Sequence, residues 1–388
     1  RHDKDYVDAY FGPEEFKKQA EREALELDAI GERARALLID LDAIPEPADP
    51  PERFRRTGLA GQIRALAARA DLVGGKKLTF DEESRLLYDA VAPTHAADRF
   101  DTIIARLDEA LPGEGSVRDR YEAFRSQFVI PADRLDEVFK AAIEACRERT
   151  AQHVTLPAGE SFTVEYVTDK SWSGYNWYQG DYKSLIQVNT DFPTYIDRAI
   201  DLACHEGYPG HHVFHALQDQ ALVKEKGWDE YTIYPLFAPH ALIAEGSANF
   251  GIDITFPGEE RIAYERDVLF PLAGLDPVRA EEYYAIQALK EDLNYAGNEA
   301  ARQYLDGTID AAQATEWLER YGLTSRERAG QSLRFIEQYR SYVINYNLGK
   351  DLVRRHVESG TGPSSSTEER WKVFLDLLAF PKLPSELG

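Results

Sequence analysis

The sequence predicts a mainly α-helical protein with a small β-sheet or hairpin beside a cluster of histidines. Three observations carry this. Stretches rich in Glu, Lys, Ala and Leu place apolar residues at helical spacing over most of the chain. One window, residues 154–192, instead mixes polar residues with β-branched and aromatic ones in strand-like alternation. Four of the nine histidines stand at positions 205, 211, 212 and 215, a clustering that chance rarely produces in a chain so poor in His.

The first 150 residues read as helices over 14–40, 60–72, 81–91, 97–111 and 132–150. Pro-rich Ile44–Pro51 is a connector and Leu111–Gly115 a turn, and this N-terminal region offers no chemistry of its own. Ser161–Val167 alternates as a half-buried strand should, Ser173–Tyr182 reads as a Gly- and aromatic-rich loop, and Leu185–Thr190 is a second strand. Helical patterning resumes at Pro193 and runs to about residue 356, punctuated at Thr255-Phe256-Pro257-Gly258 and at Gly307. Gly360–Ser366, rich in Gly, Ser and Pro, reads as a flexible loop. The organisation expected is a helical region 1–150 and a metal-binding catalytic region 151–388, which can equally be parts of one continuous domain.

Composition narrows the function. With 388 residues, 43% of them hydrophobic, the chain can bury a substantial core and is not a disordered segment. A net charge of -23 repels phosphate backbones and speaks against nucleic-acid binding. Cys146 and Cys204 form no CxxC pair, and Cys204, next to His205 on a helix, points about 100° away from it, so a small buried residue is expected there. No run approaches the ~18 apolar residues that span a bilayer, and no signal peptide is visible. A cytoplasmic chain without a membrane span is expected, although the start at Arg1 is compatible with a leader removed upstream. The sequence is silent on oligomeric state.

The chemistry concentrates in His205-Glu206-Gly207-Tyr208-Pro209-Gly210-His211-His212. Neutral imidazoles bind zinc, and a catalytic zinc site needs three protein ligands with one position open. His205-Glu206 resembles the start of an HExxH helix, in which two histidines one turn apart hold the metal and the Glu is general base. The literal motif is absent: Pro209 stands where the second His would be. Along an unbroken helix His205 and His211 would face about 120° apart, a turn and a half along the axis. Pro209 cannot donate the helical hydrogen bond and Gly210 admits unusual backbone, so a break there can swing His211 back beside His205. His212 competes as second ligand; His211 is favoured, with His212 lining the pocket or supporting it. Glu245, in apolar His240–Asn249, is a carboxylate that needs a partner if buried, and a metal is such a partner. His240 reads as a packed, hydrogen-bonded histidine.

The HExxPGHH pattern, followed by Glu245-Gly246 in a helical setting, resembles the bacterial DUF885 proteins, which are similar in layout to gluzincin metallopeptidases. The resemblance covers roughly the C-terminal 60% of the chain, and its best-matching pieces are Tyr182–Pro193, His205–His212, Ala244–Gly246 and Tyr346–Gly349. It implies a multi-helix gluzincin-like architecture, Zn2+ held by His205, His211 and Glu245, and Glu206 as base. It also raises Tyr346 to a candidate that stabilises the oxyanion through its hydroxyl. Many members carry an aromatic residue after Glu-Gly where this chain has Ser247, which alters the pocket rather than the metal set. The function expected is hydrolysis of a peptide or small amide. Leu185–Thr190 is the candidate edge strand for aligning a substrate backbone. Competing readings are a hydrolase of small amides or esters, a non-catalytic module with a closed four-ligand site including His212, and a metal-free helical scaffold.

Overall fold

In a computed structural model, which describes residues 1–362 and 365–387, the mainly α architecture with small sheets is present. The N-terminal helices are α1 (Glu14–Glu23), α2 (Leu27–Ala43), α3 (Pro50–Val73), α4 (Phe80–Tyr88), α5 (Ala97–Ala110), α6 (Val117–Arg125) and α7 (Leu135–Ala151). After the sheet come α8 (Asp197–Leu202), α9 (His211–Gln218), α10 (Pro239–Thr255), α11 (Glu259–Tyr264), α12 (Phe270–Ala273) and α13 (Ala280–Glu291). The chain ends with α14 (Ala296–Leu305), α15 (Ala311–Gly322), α16 (Arg326–Tyr339), α17 (Ile344–Thr361) and α18 (Thr367–Ala379).

Local chemistry sets the boundaries. The helix expected over 14–40 is two helices, because Ala24 takes a left-handed conformation at φ 42° and closes α1. Pro50 and Pro51 open α3, where a missing N–H does no harm. A Thr79–Glu82 capping box starts α4, and Ser116 caps α6, a helix that apolar periodicity alone did not announce. The loop expected over 360–366 is shorter: Gly360 and Thr361 finish α17 and Ser366 caps α18, while Pro363 and Ser364 lie outside the described residues.

Two small sheets stand beside the helices. β1 (Val7–Tyr10) pairs antiparallel with β5 (Ile233–Pro235). The other sheet has the order β2-β4-β3, from β2 (Ser161–Val167), β3 (Gly174–Gly180) and β4 (Lys183–Asn189). Two expectations are corrected here. Ser173–Tyr182 is largely a strand, with Trp177 opposite Leu185 in the antiparallel β3–β4 ladder. Leu185–Thr190 belongs to the central strand, with β2 on one side and β3 on the other, so its backbone groups cannot receive a substrate strand. The edge on the cleft side is β3.

One hydrophobic core unites residues on both sides of position 150: Phe80, Phe100 and Phe124 belong to the same cluster as Phe214, Phe250 and Phe374. At its centre α10 is buried almost throughout its 17 residues. It lies against α17 at Gly246 and Gly349, so closely that a Cβ on Gly246 would stand 2.3 Å from the Gly349 carbonyl carbon. Among the described residues no helix is long and apolar enough to cross a membrane.

Candidate metal centre

α8 runs into a wider, π-helical turn over Ala203–Gly207, which carries His205 and Glu206. At Tyr208 the backbone becomes extended, and a new helix, α9, begins at His211. Gly210 is required at the crossing, since a Cβ there would lie 1.8 Å from the His205 carbonyl oxygen. The break acts as Pro209-Gly210 led one to expect: His205 Nε2 and His211 Nε2 come to 3.2 Å.

Glu245 reaches the same point from α10, with Oε2 3.3 Å from His205 Nε2 and 3.7 Å from His211 Nε2. Zinc with ligands at about 2.0–2.1 Å has tetrahedral edges of about 3.3 Å, so these separations outline one face of such a site. Among the described residues this is the one group of three His, Cys, Asp or Glu side chains with metal-site spacing. Its wiring leaves lone pairs inward. Asn249 Nδ2 donates to the Tyr346 carbonyl at 3.3 Å, which turns Asn249 Oδ1 to accept from His205 Nδ1 at 3.1 Å and frees His205 Nε2. Tyr342 donates its hydroxyl to Glu245 Oε1 at 2.7 Å, while buried Glu245 Oε2 has no donor. A buried carboxylate oxygen without a donor, facing two imidazole nitrogens, fits a cation. Burial alone would lower the His211 pKa, but the Glu245 and Glu206 carboxylates outweigh it and push it up to about 9, so the pocket draws positive charge.

Glu206 is buried at the cleft wall beside this trio. Gly174 leaves room for it, since a Cβ there would be 2.6 Å from Glu206 Oε1, and Asn176 Nδ2 anchors its backbone carbonyl at 2.7 Å. Burial raises its carboxyl pKa and Oε2 has no partner, so it is a desolvated base with a free oxygen. Tyr346 also lines the cleft, packed against Phe335 and Tyr342.

The other candidates fall outside the trio. His212 is fully buried, with Nδ1 2.9 Å from Ser184 Oγ and Nε2 2.9 Å from Glu160 Oε2, so it supports the break and is not a fourth ligand. His215 stacks on Tyr178, and burial holds its pKa down at about 3. His240 is packed, with Nδ1 2.6 Å from Gln62 Nε2, and Cys204 is buried in the core.

Sequence reasoning missed Asp8, Tyr175, Asn176, Asn249 and Tyr342. Asp8, on β1, accepts from the Tyr175 hydroxyl, and burial together with Glu245 and Glu206 raises its pKa to about 7 against the pull of His211. Two of the five carried a signal: Asn249 is one helical turn after Glu245, and Tyr342 one turn before Tyr346. The cleft that joins these residues holds about 990 Å3.

No family model matches this chain, and no curated protein does. Among solved structures it is similar to a protein from Colwellia psychrerythraea provisionally described as a lipoprotein, at 16% identity and TM-score 0.56 over 91% of this chain. It spans 64% of that protein's length. A second structure, provisionally described as a lipoprotein of unknown function from Shewanella oneidensis, matches at 14% identity and TM-score 0.50, covering 93% of this chain and 71% of that one. These likenesses concern the fold.

Proposed function

We infer that this chain is a zinc-dependent hydrolase, a peptidase acting on short peptides, as its resemblance to the DUF885 proteins implies. The observation that carries the reading is the triangle of His205 Nε2, His211 Nε2 and Glu245 Oε2, with edges of 3.2, 3.3 and 3.7 Å. These three would hold the metal, and a bound zinc would supply Lewis acidity, acidifying water and polarising a carbonyl. Glu206 takes a proton from the attacking water on its free Oε2 and delivers it to the leaving amine. Tyr346 donates its hydroxyl to the developing oxyanion. The backbone of β3, at the sheet edge beside Glu206, aligns the peptide in place of the central strand β4. A cleft of about 990 Å3 favours a peptide over a small amide or ester.

Glu206→Gln tests this. The variant is expected to bind zinc as the wild type does and to lose peptide hydrolysis by about a hundredfold or more, the range for a positioned general base. Full activity in that variant removes Glu206 from the role.

A further inference from the structure

The cleft extends beyond Glu206. Its lining also includes Arg125, Arg198, Lys290 and Arg328. In a chain of net charge -23 such a concentration of cations is out of character. The acidic side chains on the same wall are already engaged. Asp197 accepts from Tyr283 at 2.7 Å and lies 3.4 Å from Arg125. Asp201 pairs with Arg198 at 3.1 Å and Arg261 at 2.8 Å. Lys350 holds Asp253 at 3.1 Å and Glu291 at 3.3 Å.

Lys290 and Arg328 remain, and neither forms an ion pair among the described residues. Arg328 is held in place by the Phe192 ring, 4.4 Å from its guanidinium carbon, and by one bond of 3.4 Å from Nη2 to the Pro193 carbonyl. Burial lowers the Lys290 pKa to about 8, with Arg125 and Arg198 pushing the same way against Asp197 and Glu291. Burial likewise lowers the Arg328 pKa, with Arg125 and Arg198 adding to it against Tyr195 and Glu122. Like charges crowded in a partly desolvated wall are complementary to an anion.

Arg198 ties this basic lining to the wall that carries Glu206. Arg198 Nη2 is 3.5 Å from Ser173 Oγ, and the next residue, Gly174, is the one against which Glu206 rests. The basic residues and the trio line one continuous cleft, so a peptide bound at the trio can present its terminal carboxylate to them.

We propose that Arg198, Lys290 and Arg328 form a subsite for the free α-carboxylate of a short peptide, which makes the chain a carboxypeptidase-type enzyme. The proposal rests on the hydrolase reading of the metal centre, but its binding component can be measured apart from it. A C–N bond near the free C-terminus breaks, and the water oxygen joins the acyl carbon. The proton held by Glu206 goes to the amine of the released fragment.

Three peptides test it: N-acetyl-Ala-Ala-Phe with a free carboxylate, its C-terminal amide, and N-acetyl-Ala-Ala-Asp amide, whose carboxylate is on a side chain. Binding to the Glu206→Gln protein is measured by titration calorimetry, and KM and kcat on the zinc-loaded wild type, Lys290→Glu and Arg328→Gln. The free acid is expected to bind at least about tenfold tighter than either amide, as a charge-assisted contact allows. The same preference should appear in KM, and Lys290→Glu should abolish it, with Arg328→Gln weakening it. Equal binding of acid and amide overturns the proposal, as does a Lys290→Glu protein that keeps the preference. Tight binding of the aspartyl amide would also overturn it, since the subsite would then read side chains. Cleavage without preference leaves the hydrolase standing and removes the subsite. Preferential binding without cleavage does the reverse.

Discussion

Gly246→Ala is the substitution whose consequences can be worked furthest. Gly246 is on α10, immediately after Glu245, and meets α17 at Gly349. A Cβ there would lie 2.3 Å from the Gly349 carbonyl carbon and 2.4 Å from its oxygen, where ordinary contact begins at 3.4 Å. The shortfall is about 1 Å, and both obstacles are backbone atoms that cannot rotate away. The helices must separate by about that distance. Overpacking of this kind costs about 1–3 kcal/mol, and the better helix propensity of Ala returns at most ~1 kcal/mol. The separation also reaches the proposed metal site. Tyr342, in the turn that leads into α17, donates to Glu245 Oε1 at 2.7 Å, and a shift of about 1 Å would carry that bond past hydrogen-bonding range. Loss of an outer partner typically weakens metal binding about 10–100-fold. Denaturant unfolding and zinc titration against a chromophoric chelator should therefore both report a loss. Gly297→Ala is the control: it lies in α14 with nothing within 4 Å of a new Cβ, and should stabilise by about 0.4–1 kcal/mol. A Gly246→Ala protein with wild-type stability and zinc affinity would refute the argument that these two glycines set the helix spacing.

Metal content separates the ligands from their supports. Zinc measured by mass spectrometry should be stoichiometric in the wild type, lost in His205→Ala, His211→Ala and Glu245→Ala, and kept in His212→Ala; stoichiometric zinc in any of the first three would remove that residue from the ligand set. Acid stability should depend on Glu160, which accepts from Tyr208, His212 and Arg147 at 2.6, 2.9 and 2.8 Å. Burial raises its pKa, but those three bonds outweigh it and hold it near 2 against an ordinary 4.5. A depressed carboxyl pKa contributes stability that is full above about pH 4.5 and disappears as pH falls towards 2. Between those limits Glu160→Gln should show a flatter decline in unfolding free energy than the wild type, and parallel curves would contradict the assignment.

What was legible in the sequence is what local chemistry dictates. Pro209 and Gly210 announced a break because one lacks a donor and the other tolerates close backbone approach, and the histidines meet there. Glu245 stood out as a charge in an apolar helix. The sheet was harder. Gly174, Tyr175, Trp177 and Gly180 have the composition of a loop, and they form a strand because β4 supplies their hydrogen bonds. Whether Leu185–Thr190 is central or at an edge depends on how many partners flank it, which no local pattern encodes. β1 is the extreme case: four residues whose partner strand begins at Ile233, so nothing near Asp8 marks it as a wall of the cleft.

The same division explains why the site's ends differ in charge. Residues supplied by the motif and by α10 are carboxylates and imidazoles, which converge because a buried acid needs a counter-charge. Asp8 adds a third carboxyl to Glu206 and Glu245, and all three crowd one end of the cleft. The divalent cation proposed for His205, His211 and Glu245 would compensate them. At the other end α8, α13 and α16 bring Arg198, Lys290 and Arg328 from well-separated parts of the chain, and the requirement is reversed. Under the proposed function, a peptide whose carbonyl lies at the first end and whose terminal carboxylate lies at the second would satisfy both.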